Sequence, residues 1–195
     1  MPLNQIIGIH APWWTFETSQ GISYNPTASL IGFILKFADK NSELFGLACT
    51  LAKEAYSYFK AHFPMESMHT VSCFVELYEY IKESSNKELL DMEEFNTLLK
   101  KQIKHVITYD TSKWTVDYVC KPSLFIDSKT SDFYIGNKDI CNYECEFILD
   151  TQESDGTWAI TWSWQDYQEQ WNISKNWWKS DLIIKNIQYI KAIGS

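Results

Sequence analysis

Apolar residues recur along this chain three or four positions apart in six separate stretches, and each stretch predicts a helix. The clearest covers 42–60. There Leu44, Leu47, Ala48, Leu51, Ala55, Tyr58 and Phe59 fall on one stripe, while Lys53, Glu54 and Lys60 lie off it. Residues 66–84 repeat the pattern with Val71, Phe74, Val75, Tyr78 and Ile81, and 87–109 with Met92, Phe95, Leu99, Ile103 and Val106. Further helices are predicted over 138–151, with Ile140, Tyr143, Phe147 and Ile148 on one side, and over 173–192, with Trp178, Leu182, Ile183, Ile187 and Ile190. The first stretch, 26–38, differs. Leu30, Ile31, Phe33, Ile34, Leu35 and Phe37 leave it no polar face, and such a helix is expected to be surrounded by protein.

Terminal signals agree with these limits. Asn25 is placed to cap the first helix, with Pro26 at its first position, where a missing N–H costs nothing. Ser42 and Glu43 open the second helix, and Pro64 separates it from the third. The fourth begins acidic (Glu88, Asp91, Glu93, Glu94) and ends basic (Lys100, Lys101, Lys104, His105), which complements the helix dipole. Residues 1–25 read as irregular, with a short extended piece at 6–9, and 110–136 as a long, partly ordered connection. A helical turn is expected at 114–118, a break at Pro122, and a polar loop over 128–136. Ile160 and Trp162 could pair briefly as a strand edge. Six helices in three successive pairs give an all-α single domain over 1–195. The expected architecture is a partial α/α toroid, and an irregular helical bundle predicts a similar pattern.

Composition narrows the function. A chain of 195 residues buries roughly 70% of its unfolded surface, enough for a core without disulfides or metal. Aromatics reach 16%, with nine tryptophans; most should pack in the core, and the remainder suggest an aromatic-lined hollow. The net charge of −8 and the absence of a strongly basic run argue against nucleic acid and anionic membrane surfaces. Cys49, Cys73, Cys120, Cys141 and Cys145 are odd in number and show no framework spacing. Together with the lack of a leader or an apolar run of spanning length, they predict a cytoplasmic protein with free thiols.

One string is more specific. Residues 147–158 read FILDTQESDGTW: an apolar helix end, Gln152, then Asp155-Gly156-x-Trp158. Gln152 is placed to satisfy loose backbone groups of neighbouring helices. Asp155-Gly156 supplies a tight turn with positive φ at the glycine, and Trp158 lies over it. This string resembles the QW motif of squalene and oxidosqualene cyclases and their prenyltransferase-like relatives. Trp158, Trp162, Trp164, Trp171 and Trp178, followed by a closing helix, resemble the C-terminal end of such proteins. The resemblance is specific over 138–194 and loose over 26–109. It implies an α/α toroid in which Gln152, Asp155, Gly156 and Trp158 are structural.

The resemblance does not extend to chemistry. Triterpene cyclases use an Asp-x-Asp-Asp acid motif; the nearest string here is Asp91-Met92-Glu93-Glu94, lacking the Thr-Ala that follows it and sitting where a helix favours acids anyway. No zinc set of Asp, Cys and His matches that of protein prenyltransferases. His69 and Cys73, four apart, share a helix face, as do Cys141 and Cys145, but zinc needs more ligands; the plain reading is core thiols. No cofactor and no metal are expected.

The fold implied by the resemblance places ligands at the wide end of the toroid cavity, among loops. Trp13, Trp14, Tyr24, Trp162, Trp164 and Trp177 sit in connections or at helix ends and are the expected ligand contacts; simple loop-to-helix packing is the alternative. The expected ligand is an isoprenoid or other apolar small molecule. A chain too short for a full ring also suggests a homodimer or partner that completes the toroid. The competing expectations are a helical structural or protein-interaction domain, and the C-terminal fragment of a terpenoid-processing enzyme.

Overall fold

The computed structural model describes residues 24–164 and 167–194. Trp13, Trp14 and the extended piece expected at 6–9 lie outside them. The described residues form six α-helices and three short 3-10 turns, with no strand, so the chain is all-α. The helices are α1 (Thr27–Phe37), α2 (Glu43–Ala61), α3 (Met68–Glu83), α4 (Met92–Val106), α5 (Lys138–Asp150) and α6 (Gln168–Ile193).

Local chemistry sets their starts. Ser42, Ser67 and Asp91 each occupy the N-cap of α2, α3 and α4, and accept a hydrogen bond from the backbone N–H three residues on, at 3.1, 3.2 and 2.9 Å. Such caps satisfy donors that the helix cannot. Asp91 of the acidic string thus has a capping role. The cap expected from Asn25 is not made: Pro26 holds the N-cap position without a side-chain bond, and Asn25 Oδ1 instead faces the Cys73 thiol of α3 at 3.6 Å.

The first four helices pack in two layers. α1 lies along α3, each is paired with its successor (α1 with α2, α3 with α4), and α2 reaches α4 through Tyr56 and Phe59 on Phe95, with ring centroids 5.0 and 5.5 Å apart. Close approach has a visible cause. A Cβ on Gly32 of α1 would stand 2.8 Å from Tyr80 Cδ2 and 3.0 Å from Leu77 Cα, so only glycine allows this contact with α3. On α2 the buried face is built from Ala48, Ala52 and Ala55 with Phe45, Tyr56 and Phe59. That face is rotated from the predicted stripe: the small alanines lie on the buried side while Leu44 and Leu47 turn outward.

α1 is not surrounded by protein as its composition predicts. Ala28, Ile31, Gly32 and Leu35 are buried, but Leu30, Phe33 and Phe37 are more than half exposed. α6 starts five residues before its predicted limit and takes in Trp171. Of its predicted stripe, Trp178 and Ile187 are exposed, while Leu182, Ile183 and Ile190 pack against the core from partly buried positions. The Ile160–Trp162 strand edge is absent, and that segment runs without regular structure.

The 110–136 connection is more firmly packed than its sequence suggests. Trp114, Phe125, Ile126 and Phe133 are buried, and the Trp114 indole donates to the Thr108 carbonyl at 2.8 Å. Asp132 accepts from Tyr78 and Lys82 of α3 at 2.7 Å each and from Asn96 of α4 at 3.1 Å, tying the connection to both helices. Gln102 of α4, fully buried, accepts from the Met65 N–H at 2.8 Å and donates to the Met65 carbonyl at 2.7 Å. It closes the gap left where α2 and α3 are joined.

Candidate functional site

The QW-like string forms a clasp at the end of α5. Gly156 has φ +83°, a conformation that side chains disfavour. The turn is closed by Gly156 N–H to the Glu153 carbonyl and Glu153 N–H to the Thr157 carbonyl, both 2.8 Å, and Asp155 accepts from the Thr157 N–H at 3.0 Å. Trp158 is buried, and its indole donates to the Ile148 carbonyl at 2.7 Å, satisfying a backbone acceptor in the last turn of the helix. Gln152 is exposed and donates to the Gly156 carbonyl at 3.1 Å. It therefore steadies its own turn, where the sequence pointed to backbone groups of neighbouring helices.

The clasp determines where the next residues go. With Trp158 anchored on α5, residues 159–162 form one wall of an open cleft of about 550 Å³ that α3 and α6 also line. The α3 wall is Met68, Ser72 and Glu76, four apart and so on one face. The α6 wall includes Trp178, Leu182 and Tyr189, and residues 117–127 of the connection close the remaining side.

Three rings meet at this cleft. Tyr118 and Trp162 pack edge to face at 6.1 Å, and Trp162 and Trp178 at 5.1 Å with planes 77° apart. Behind them Trp171 supports Trp162 at 4.8 Å, and His69 stacks on Tyr118 with its Nε2 3.2 Å from the phenol oxygen.

A buried carboxylate holds Ser123 of the lining. Glu144 of α5 is 1% exposed. It accepts from the Ser123 N–H at 2.8 Å and from the Ser123 hydroxyl at 2.6 Å, and so holds the 3-10 turn Pro122–Leu124 against α5. Burial raises the Glu144 carboxyl above its ordinary value, against the Ser123 bonds and the Lys121 charge, which pull it down. Burial depresses the Lys121 ammonium, which Glu144 partly restores; that ammonium sits 4.7 Å over the Phe147 ring. The Tyr189 hydroxyl, beside the same carboxylate, is held un-ionised first by burial and then by the Glu144 charge. This arrangement positions a loop and presents rings. The Ser123 hydroxyl is committed as a donor to Glu144.

The expected ligand contacts separate in space. Trp162 lines the cleft. Trp164 packs on Trp171 at 5.6 Å and is not part of the lining. Trp177 is 71% exposed on the outer side of α6. Tyr24 is buried in the core between Tyr58 and Phe74, at 4.8 and 5.6 Å. Trp13 and Trp14 lie outside the described residues. Sequence reasoning missed Tyr118, Trp178 and Tyr189 as cleft residues, and Glu144, which holds Ser123 of the lining. For Glu144 a signal existed: it lies on the same helical stripe as Cys141, Cys145 and Ile148, and a carboxylate on an apolar stripe needs a partner.

All five cysteines are free thiols. No group of three or more His, Cys, Asp and Glu among the described residues is placed to hold a metal. No described helix is long and apolar enough to cross a membrane. Comparison of the chain with family models, with curated proteins and with solved structures finds no match. What fold and site define is an all-α domain whose aromatic cleft lies between two of its helices.

Proposed function

We propose that this domain binds an elongated apolar small molecule, isoprenoid-like in its body, in the cleft between α3 and α6, without carrying out chemistry on it. The observation that carries this reading is the corner formed by Tyr118, Trp162 and Trp178, with Met68, Ile160 and Leu182 beside it. Pockets for small molecules are concave and largely apolar, with a few polar groups to orient the ligand. The QW-like clasp supports the same reading, since its mechanical effect is to set the 159–162 wall.

Tryptophan fluorescence titrated with farnesol tests it. Saturable quenching is expected. Trp162→Ala weakens the affinity by about tenfold, the equivalent of roughly 1.4 kcal/mol of lost ring contact, whereas Trp177→Ala leaves it unchanged. Absence of saturation, or equal effects of the two substitutions, refutes the reading.

A second reading, an interaction domain that pairs with another copy of itself, is favoured by a different observation. α1 and α6 each turn apolar residues outward: Leu30, Phe33 and Phe37 on one, Ile173, Trp177 and Ile184 on the other. They are the first and last helices among the described residues. Two copies related by a two-fold axis could set α6 of each on α1 of the other and cover both stripes in a closed ring. Sedimentation equilibrium is expected to give a dimer that Trp177→Glu dissociates; a monomer at every concentration removes this reading.

A further inference from the structure

The charges around the cleft specify the head group of its ligand. Glu76, Asp117 and Asp127 line it, and their carboxylates make no hydrogen bond or ion pair to any described residue. Its fourth acid, Asp181, is already paired with Lys185 at 2.8 Å. The remaining lysine, Lys121, is drawn inward over the Phe147 ring at 4.7 Å, beside buried Glu144. Each cationic group of the lining is thus engaged by the protein, and among the described residues three anionic groups are not. In the same lining Tyr118, Trp162 and Trp178 stand with neighbouring planes 66° and 77° from one another, as the walls of a corner do. Ring faces are negative at their centres, and a corner of such faces attracts an alkylated ammonium.

Resting on the binding reading above, we infer that the cleft takes an organic cation: an alkylammonium head seated in the Tyr118–Trp162–Trp178 corner, facing Glu76, Asp117 and Asp127, with its apolar tail along Met68, Ile160 and Leu182. An anionic head, a diphosphate or a carboxylate, meets three carboxylates that have no partner among the described residues, while both lining lysines are already engaged, so the cleft disfavours it. The specificity comes as much from that repulsion as from the rings.

Three probes with one tail separate this inference from the reading beneath it: decyltrimethylammonium, decanol and decyl sulfate, each titrated below its aggregation concentration and followed by tryptophan fluorescence. The ammonium is expected to bind about tenfold more tightly than decanol, the scale of one or two cation–π contacts, and decyl sulfate the most weakly. Its affinity falls with added salt while that of decanol does not. The variant E76Q/D117N/D127N, altered only at exposed side chains, loses the salt dependence and much of the preference for the ammonium over decanol. Equal binding of ammonium and decanol, or a preference that survives the triple substitution, overturns the cation inference and leaves the apolar-cleft reading standing. Failure of all three probes to saturate overturns both.

Discussion

Trp158→Phe separates the members of the clasp by energy. The substitution keeps most of the buried ring but removes the indole N–H, leaving the Ile148 carbonyl without the 2.7 Å partner it has now. A buried group left unpaired costs about 1–3 kcal/mol, and the lost edge of the indole adds a small void. A total of about 2–3 kcal/mol is expected. At 2–4 °C per kcal/mol for a domain of this size, melting falls by roughly 4–12 °C. Gly156→Ala places a methyl on a residue with φ +83° and should cost about 1–2 kcal/mol. Gln152→Ala removes one bond at an exposed turn and should cost about 0.5 kcal/mol or less. Thermal melts followed by circular dichroism at the helix band, supported by urea titration, rank the three. An equal or larger loss for Gln152→Ala than for Trp158→Phe refutes the view that the tryptophan, and not the glutamine, holds the clasp to α5.

Other consequences follow from buried groups. Burial raises the Glu144 carboxyl in the folded state, so its protonated form is the one that folding favours. Its contribution is full below the ordinary carboxylate value and declines as pH rises through the raised one. Glu144→Gln should flatten that decline and melt higher than the parent at neutral pH but not in acid, as read from melting temperature against pH. Gly32→Val forces Tyr80 and the α3 backbone aside and should cost about 1–3 kcal/mol in urea denaturation. Gln102→Leu strands both backbone groups of Met65 and should cost about 2–5 kcal/mol in the same assay.

Where a helix is long and its apolar stripe regular, the chain announced it. α2, α3, α4 and α5 begin or end within a few residues of their predicted limits, and Ser42 caps as expected. Two misreadings share one physical origin. Periodicity reports which positions are apolar, not which neighbour is present to cover them. α1 has apolar residues on every side, yet its partners cover only the face containing Gly32. α6 has apolar residues on several faces, and α5 takes one of them. The connection over 110–136 was opaque because its order comes from tertiary bonds: Asp132 to α3 and α4, and Glu144 to Ser123. Neither has a local pattern. In the cleft, Trp162 was legible as a tryptophan in a connection. Tyr118 and Tyr189 become cleft residues only because the clasp carries the intervening chain across to them.

The most direct test of the account labels the nine tryptophans with 5-fluorotryptophan and follows each ¹⁹F resonance, assigned by single Trp→Phe substitutions, as decyltrimethylammonium is added. Trp162 and Trp178 should shift together and saturate at one equivalent, while Trp114 and Trp158, buried elsewhere, and Trp177, on the outer face, stay in place. Shifts led by Trp177, or spread evenly over all nine, would contradict a binding cleft between α3 and α6.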